Sequence, residues 1–350
     1  MKILVVKDKR DYKRFKNFRK DLYKNDRFYC STVEFNLDML LFKQTYFAKS
    51  CTVKPIIVED GNKIIAECLL IFNPKDDFVQ VAFFESLENC YDAVKLIKGE
   101  AEAFAKQNCV KRVIVGLNGH LSYGVGLTDC ISHPNTFDST YSKPYYIDYF
   151  KDGIVHGQTA FYARVGDVKP NLKCLPQSIK IRPLNLNDFD KEMEIFADIC
   201  NKTIGRTFLY SQVEKDHFKE LLGAMRFFLK KENLLLAFDG NEVVGFIFWH
   251  PDYNQILKKG KQNSLLSIAL RYIFYKKRIN RIKLNAIGVV ERYQGNLTMR
   301  LLKSASEYMN DDHIIETNFV WNNNKRSMLI NRHLLKNIER TFKVVEYRYD

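Results

Sequence analysis

No window of this 350-residue sequence approaches the ~18 consecutive apolar residues of a membrane span, and the apolar start at residues 3–6 stops at Lys7, Asp8, Lys9 and Arg10. Neither a spanning helix nor a secretory leader is expected, and a cytoplasmic location is. Metal-chelating cysteine pairs are also lacking. Cys30, Cys51, Cys68, Cys90, Cys109, Cys130, Cys174 and Cys200 lie 17 to 44 residues apart, with no Cys-x-x-Cys among them. Most fall in apolar runs, as reduced buried thiols do, so disulfides and zinc are not expected. Glycine and proline number only 16 and 8, and 46% of residues are hydrophobic, which excludes a low-complexity or disordered chain. At about 150 residues per domain, the length suits two cores rather than one.

Acidic residues are outnumbered, 41 against 55 Lys and Arg, for a net charge of +14. The excess is concentrated. Residues 1–24 hold ten Lys/Arg against three Asp/Glu, and residues 258–283 hold nine against none. A basic patch attracts any polyanion and does not by itself distinguish a phosphorylated cofactor from nucleic acid or anionic lipid; a solvated face is the plain alternative.

The two halves read alike. In the first, β-rich runs at 53–59 and 63–72 flank Asp60-Gly61-Asn62, a hairpin turn signal; a strand at 78–84, an amphipathic helix at 91–107 and a strand at 111–117 follow. Residues 118–150 have no period and read as a long packed loop. Pro170 and Pro176 mark a linker at 168–177, which sets the expected boundary near 177: domains 1–177 and 178–350. In the second half the pattern predicts a strand at 179–184, helices from Asp188 to about 203 and over 213–230, and a hairpin at 233–238 and 242–249 around Asp239-Gly240-Asn241. A strand at 281–290, a helix at 297–308, a strand at 314–321, a helix at 325–335 and a strand at 342–349 complete it.

This β-α-α-β-β-β-α-β-α-β order resembles the GNAT superfamily of acyl-CoA-dependent N-acyltransferases. The decisive stretch runs from Val289 through Leu297, Val-Val-Glu-Arg-Tyr-Gln-Gly-Asn-Leu. It is similar to the superfamily's pyrophosphate loop, [Q/R]-x-x-G-x-[G/A]: Arg292 and Gly295 match, and Leu297 replaces the last small residue. A turn at a helix N-terminus offers unpaired N–H groups and a positive dipole end to a diphosphate, and glycine lets the backbone come close. An ordinary strand-to-helix turn is the alternative. The resemblance implies a cofactor site of Ile287, Gly288, Val289, Arg292, Tyr293, Gln294, Gly295, Asn296 and Leu297. It places Asn324 near the pantetheine arm, although Asn324 also suits a helix N-cap. Where many members carry the Tyr that protonates the departing thiolate this chain has Asn331, and Leu335 stands at a common Gly.

Over nearly its full length the chain also resembles a bacterial tandem-GNAT group, through 15–26, Asp60-Gly61, Phe83-Phe84-Glu85, 124–129, Lys143-Pro144-Tyr145-Tyr146, 249–252, Gly288-Val289, Glu316 and 342–349. The implied fold class is α/β (α+β): two tandem GNAT-like domains, each a mixed, mostly antiparallel twisted sheet flanked by helices. The first half carries Glu85-Ser86-Leu87-Glu88-Asn89 where the phosphate loop belongs, and its carboxylates repel a diphosphate. It reads as a degenerate copy.

The implied activity is transfer of an acyl group from acetyl-CoA or another acyl-CoA to a small-molecule or peptide amine. Such chemistry needs a base, a polarised carbonyl and an acid. Glu316 is the candidate base, with Glu242 and His250 as poorer ones; strand amides around 287–289 are candidates to polarise the carbonyl. Two alternatives stay open: an inactive ligand-binding scaffold, and an aminoacyl-tRNA-dependent transferase that holds nucleic acid through 258–283. Within that segment Leu265, Leu266, Ile268, Ala269, Tyr272 and Ile273 precede Lys276-Lys277-Arg278, an amphipathic helix with a cationic end suited to CoA phosphates, tRNA or an anionic membrane.

Overall fold

A computed structural model describes residues 1–349 except 31–33, 173, 227–228 and 261–262. Lys261 of the basic segment, residue 173 of the expected linker and 227–228 of the expected helix lie outside the described residues. The chain forms two compact units, the first from residues 1–158, 257–264 and 340–350, the second from 159–256 and 265–339.

The first unit holds β1 (Lys2–Val5), α1 (Lys9–Tyr23), α2 (Glu34–Leu41), α3 (Tyr46–Ser50), β2 (Thr52–Asp60), β3 (Lys63–Phe72), β4 (Phe78–Ser86), α4 (Tyr91–Gln107), β5 (Arg112–Val115), β6 (Leu127–Thr128) and α5 (Tyr146–Tyr149). Strand β7 (Ile154–Arg164) crosses the division. The second unit continues with β8 (Ile179–Pro183), α6 (Phe189–Ile204), α7 (Lys215–Gly223), β9 (Leu234–Asp239), β10 (Glu242–Pro251), α8 (Leu265–Tyr275), β11 (Arg281–Val289), α9 (Asn296–Ser306), β12 (Ile314–Thr317), β13 (Val320–Trp321) and α10 (Lys325–Leu334). The last strand is β14 (Asn337–Arg348).

Each unit is built on the same strand sequence. In the first, β1-β2-β3-β4-β5-β14 are neighbours, antiparallel except for the parallel pair β4 and β5. In the second, β8-β9-β10-β11-β12-β7 repeat that order, with β11 and β12 the parallel pair. The sixth strand of each sheet comes from the other half of the sequence. Val345 to Arg348 pair with β5, while Tyr162 to Arg164 pair with β12. For this reason the compact units divide at 158/159, not at the expected 177, and residues 340–350 belong to the first: backbone pairing, not the proline pair at 170 and 176, sets membership.

Sheet packing follows from the alternation of side chains across each strand. In the second unit one face carries Ile247, Trp249, Ile282, Leu284 and Ile315 against Leu297, Leu301 and Ala305 of α9 and Met328 and Leu334 of α10. The other carries Leu234, Leu236, Phe246 and Phe248 against Phe196, Cys200 and Phe218 of α6 and α7. Gly288 lies on this second face, where a Cβ would stand 2.2 Å from Thr203 Oγ1. Its small size thus lets α6 press onto β11.

Two expected elements differ. Helix α7 is shorter than 213–230. The strand expected over 314–321 breaks after Thr317, and β13 pairs with β7 instead of continuing beside β11. Of the cysteines, Cys30, Cys51, Cys68 and Cys200 are buried, Cys90 is half-buried, and Cys109, Cys130 and Cys174 are exposed; all are free thiols. Among the described residues no helix is long and apolar enough to cross a membrane, and no cluster of potential metal ligands forms.

Candidate functional site

Strands β11 and β12 run in parallel register for only four pairs, Arg281 with Ile314 through Leu284 with Thr317. One more contact, Asn318 N–H to Leu284 O at 2.8 Å, ends the pairing. Beyond it the chain leaves for β7, and β11 runs on through residues 285–289 without β12 beside it. At the parting point β11 carries a bulge. Phe248 pairs with Ala286 but Trp249 with Leu284, so Asn285 is the extra residue that bends the strand away. Val290 N–H donates to Val244 O of β10 at 2.9 Å. By strand alternation the amides and carbonyls of Ile287 and Val289 point the other way, into the gap. Gln294 Nε2 reaches Val289 O at 3.4 Å from that side. Ile287 and Val289 therefore offer backbone groups to the opening, while Gly288 serves helix packing.

The gap leads to the start of α9. Residues 291–293 form one short 3-10 turn, Gly295 takes φ +92°, and the helix begins at Asn296 with no side chain capping it. At that φ an L side chain is strained. The first intrahelical bond, Met299 N–H to Gly295 O at 3.0 Å, leaves the preceding amides of the turn aimed outward. Leu297, the departure from the loop pattern, is fully buried among the core residues under α9. Gly245 lies beside it, and a Cβ there would come closest to Gly288 O at 3.1 Å and Val289 Cγ2 at 3.3 Å. A leucine is thus accommodated inward and leaves the outward backbone open.

Cations and carboxylates alternate at the rim. Arg292 Nη2 pairs with Glu242 at 2.6 Å. The Tyr293 hydroxyl donates to Asp239, a hydrogen bond that raises the phenol above its ordinary value and keeps it protonated. Arg326 of α10 donates to Gln294 Oε1 at 2.6 Å. Asn324 accepts from Ser327 N–H at 3.1 Å and so caps α10, the alternative weighed from sequence. Asn331 donates to Ser327 O at 2.8 Å within the same helix.

Glu316 occupies a row of register partners on one sheet face: His250, Lys283, Glu316 and Tyr162 from four adjacent strands. The first three are buried. Glu316 Oε2 lies 2.8 Å from Arg281 Nη1 and Oε1 lies 3.8 Å from Lys283 Nζ; Arg281 also holds Glu339 at 2.7 Å. Burial works against the Arg281 charge, but Glu316 and Glu339 more than offset it and raise its pKa. Glu316 thus faces two cations at the closed end of the opening. His250 Nδ1 lies 3.0 Å from Pro251 O and must carry the proton to bond it, which leaves Nε2 to accept from Asn285 Nδ2 at 3.1 Å. Asn318 donates in turn to Asn285 Oδ1 at 3.0 Å. This Asn318–Asn285–His250 chain stands at the parting point. Nothing in the sequence singled out the two asparagines, because only the bulge and the strand register bring them together.

The corresponding place in the first unit is built differently. Strands β4 and β5 also part after four parallel pairs, and β4 also bulges, with Phe83 at φ +50°. There the backbone is already bonded: Ser86 N–H to the Tyr146 hydroxyl at 2.9 Å, Cys90 N–H to the Tyr149 hydroxyl at 3.1 Å, and Phe83 N–H to Asn118 Oδ1 at 2.7 Å. Tyrosines of α5 and the residue before it, read from sequence only as part of an aperiodic loop, close the turn. A small cavity remains beside them, with Arg19 bound to Glu85 at 2.7 Å in its wall.

No protein-family profile and no curated protein matches the chain. Among solved structures it superposes on a tandem GNAT protein from the clavulanic acid biosynthesis pathway with a TM-score of 0.56 at 10% identity, over 99% of this chain and 98% of that one. A probable N-acyltransferase from Enterococcus faecalis V583 gives 0.55 at 8%, over 99% and 72% of the two chains. A GCN5-related N-acetyltransferase from Anabaena variabilis ATCC 29413 gives 0.52 at 7%, over 100% and 73%. At these identities the likeness is one of fold, and the repeated strand order with its two parted parallel pairs agrees with it: this chain has the fold of the tandem GNAT proteins.

Proposed function

We propose that the second unit binds an acyl-CoA, acetyl-CoA being the simplest, and that an amine of a small molecule or peptide accepts the acyl group. One observation carries the reading: the opening between β11 and β12 leads straight to the uncapped start of α9, behind a glycine whose φ of +92° disfavours any side chain. The donor set fits the group. Outward amides at 295–297 and the guanidiniums of Arg292 and Arg326 suit a diphosphate, and Asn324 suits an amide of the pantetheine arm. When bound, the cofactor supplies a thioester carbonyl open to attack by an amine. The Ile287 and Val289 amides face the gap in which that carbonyl would be polarised. Asn285 and Asn318 order its floor.

A binding-only reading is favoured by one specific feature. Asn331 stands where the resemblance places a proton-donating Tyr, and an amide spent on Ser327 O has no proton to give. Incubation with acetyl-CoA and a panel of primary amines, reading free CoA thiol, separates the two. Amine-dependent thiol release supports the transferase; CoA binding without release for any amine supports the scaffold.

A further inference from the structure

Helix α8, inserted between β10 and β11, is apolar on two opposite faces. Inward, Ile268 is buried and Tyr272 meets the buried ring of Tyr253 edge-on at 5.4 Å. Outward, Leu266, Leu270, Ile273 and Phe274 recur at helical spacing and are 70, 50, 64 and 76% exposed. A helix apolar all round is ordinarily enclosed. Four large side chains left in water along one stripe mark a contact surface. The stripe ends on Lys276, Lys277 and Arg278, all exposed, and residues 263–283 include no Asp or Glu. Arg278 and Arg271 lie over the Tyr275 ring at 4.7 and 5.4 Å, which places an aromatic ring between the apolar stripe and the cations. At about 1.5 Å per residue the helix is far shorter than the ~30 Å of a hydrocarbon core, so it is suited to lie on a bilayer and not to cross one.

We propose that this face of α8 docks on an anionic lipid surface, with Leu266, Leu270, Ile273 and Phe274 at the acyl boundary and Lys276, Lys277 and Arg278 among the headgroup phosphates. The combination of an apolar stripe with an unopposed cationic end is what an interfacial helix requires. Nucleic acid would use the cations but leave the aliphatic stripe in water. A second copy meeting this face would cover the stripe but bring no carboxylate from the same segment to the cations, since 263–283 has none. The proposal is independent of the acyl-CoA reading.

The test is co-sedimentation of the full chain with large unilamellar vesicles, of phosphatidylcholine alone and of phosphatidylcholine with phosphatidylglycerol, at low and high NaCl. Binding is expected to the phosphatidylglycerol vesicles, to weaken with salt, and to be slight with phosphatidylcholine alone. At about fivefold per cation, Lys276→Glu with Lys277→Glu lowers partitioning by about 25-fold or more. Ile273→Ser with Phe274→Ser abolishes it while keeping the unfolding temperature within roughly 2 °C, because both side chains are exposed. Absence of binding to phosphatidylglycerol vesicles, or binding unchanged in the serine variant, overturns the proposal. So does a dimer that the serine variant dissolves, or RNA binding that it retains in the absence of vesicle binding.

Discussion

Arg326 Nη1 bonds Gln294 Oε1 at 2.6 Å, and its Nη2 lies 3.5 Å from where a Gly295 Cβ would stand. A guanidinium from α10 therefore sits over the uncapped start of α9, beside the Arg292–Glu242 pair at the rim. The site has cations enough for a diphosphate but spends one of them on a carboxylate.

Glu242→Gln should strengthen CoA binding, because it frees Arg292 and removes an anion from the rim; the gain is expected to be modest, a few-fold, since an exposed pair interacts weakly. Arg326→Ala should weaken binding by about tenfold or more, as loss of a charge-assisted bond does. Titration calorimetry with CoA measures both. Equal affinities in the wild type and both variants would place the phosphates elsewhere.

Glu316→Gln distinguishes a brace from a base. As a brace, its loss leaves buried Lys283 and Arg281 short of negative charge and costs about 3 kcal/mol, read as a lower urea midpoint. Unchanged stability with lost turnover would support the catalytic role that the sequence suggested.

Acid should loosen the first unit through Glu346. Burial opposes its charge, but hydrogen bonds from Arg348, Arg112 and His156 prevail and pull the carboxyl from 4.5 down to about 2. A depressed folded-state value means stability that is present above about pH 4.5 and lost as the pH falls toward 2, on the order of 2 kcal/mol once the exposed Arg348 is discounted. Urea midpoints at pH 7 and pH 3 should differ by less in Glu346→Gln than in the wild type. An identical difference would remove Glu346 from the acid response.

Removing residues 340–350 should destabilise the first unit, far from those residues in sequence, because Val345 to Arg348 form the strand beside β5. Hydrogen exchange should show lost protection in Val113, Ile114 and Val115. Protection unchanged there would mean that the sheet closes without β14.

What the sequence made legible is local. The two hairpins turn at Asp60-Gly61 and Asp239-Gly240 as read, and the strand, loop and helix around Gly295 lie where the motif put them. The exchange of final strands was not legible, since pairing between residues 150 to 236 positions apart leaves no periodic signal. The role of Leu297 was hidden for a similar reason: it is buried in a core built from residues distant in sequence, such as Ile247 and Met328. The Arg281 and Lys283 beside Glu316 were not legible either, since strand register brings them there.

The most direct test is thermal unfolding of the purified chain with and without acetyl-CoA, alongside Gly295→Glu. At a ligand concentration about 100 times the dissociation constant, one-site binding adds about 2.7 kcal/mol and raises the unfolding temperature by several degrees. That rise is expected in the wild type, at one CoA per chain because the Tyr146 and Tyr149 hydroxyls close the turn in the first unit, and it should vanish in Gly295→Glu. No rise in the wild type, or the same rise in the variant, would contradict a CoA site at the start of α9.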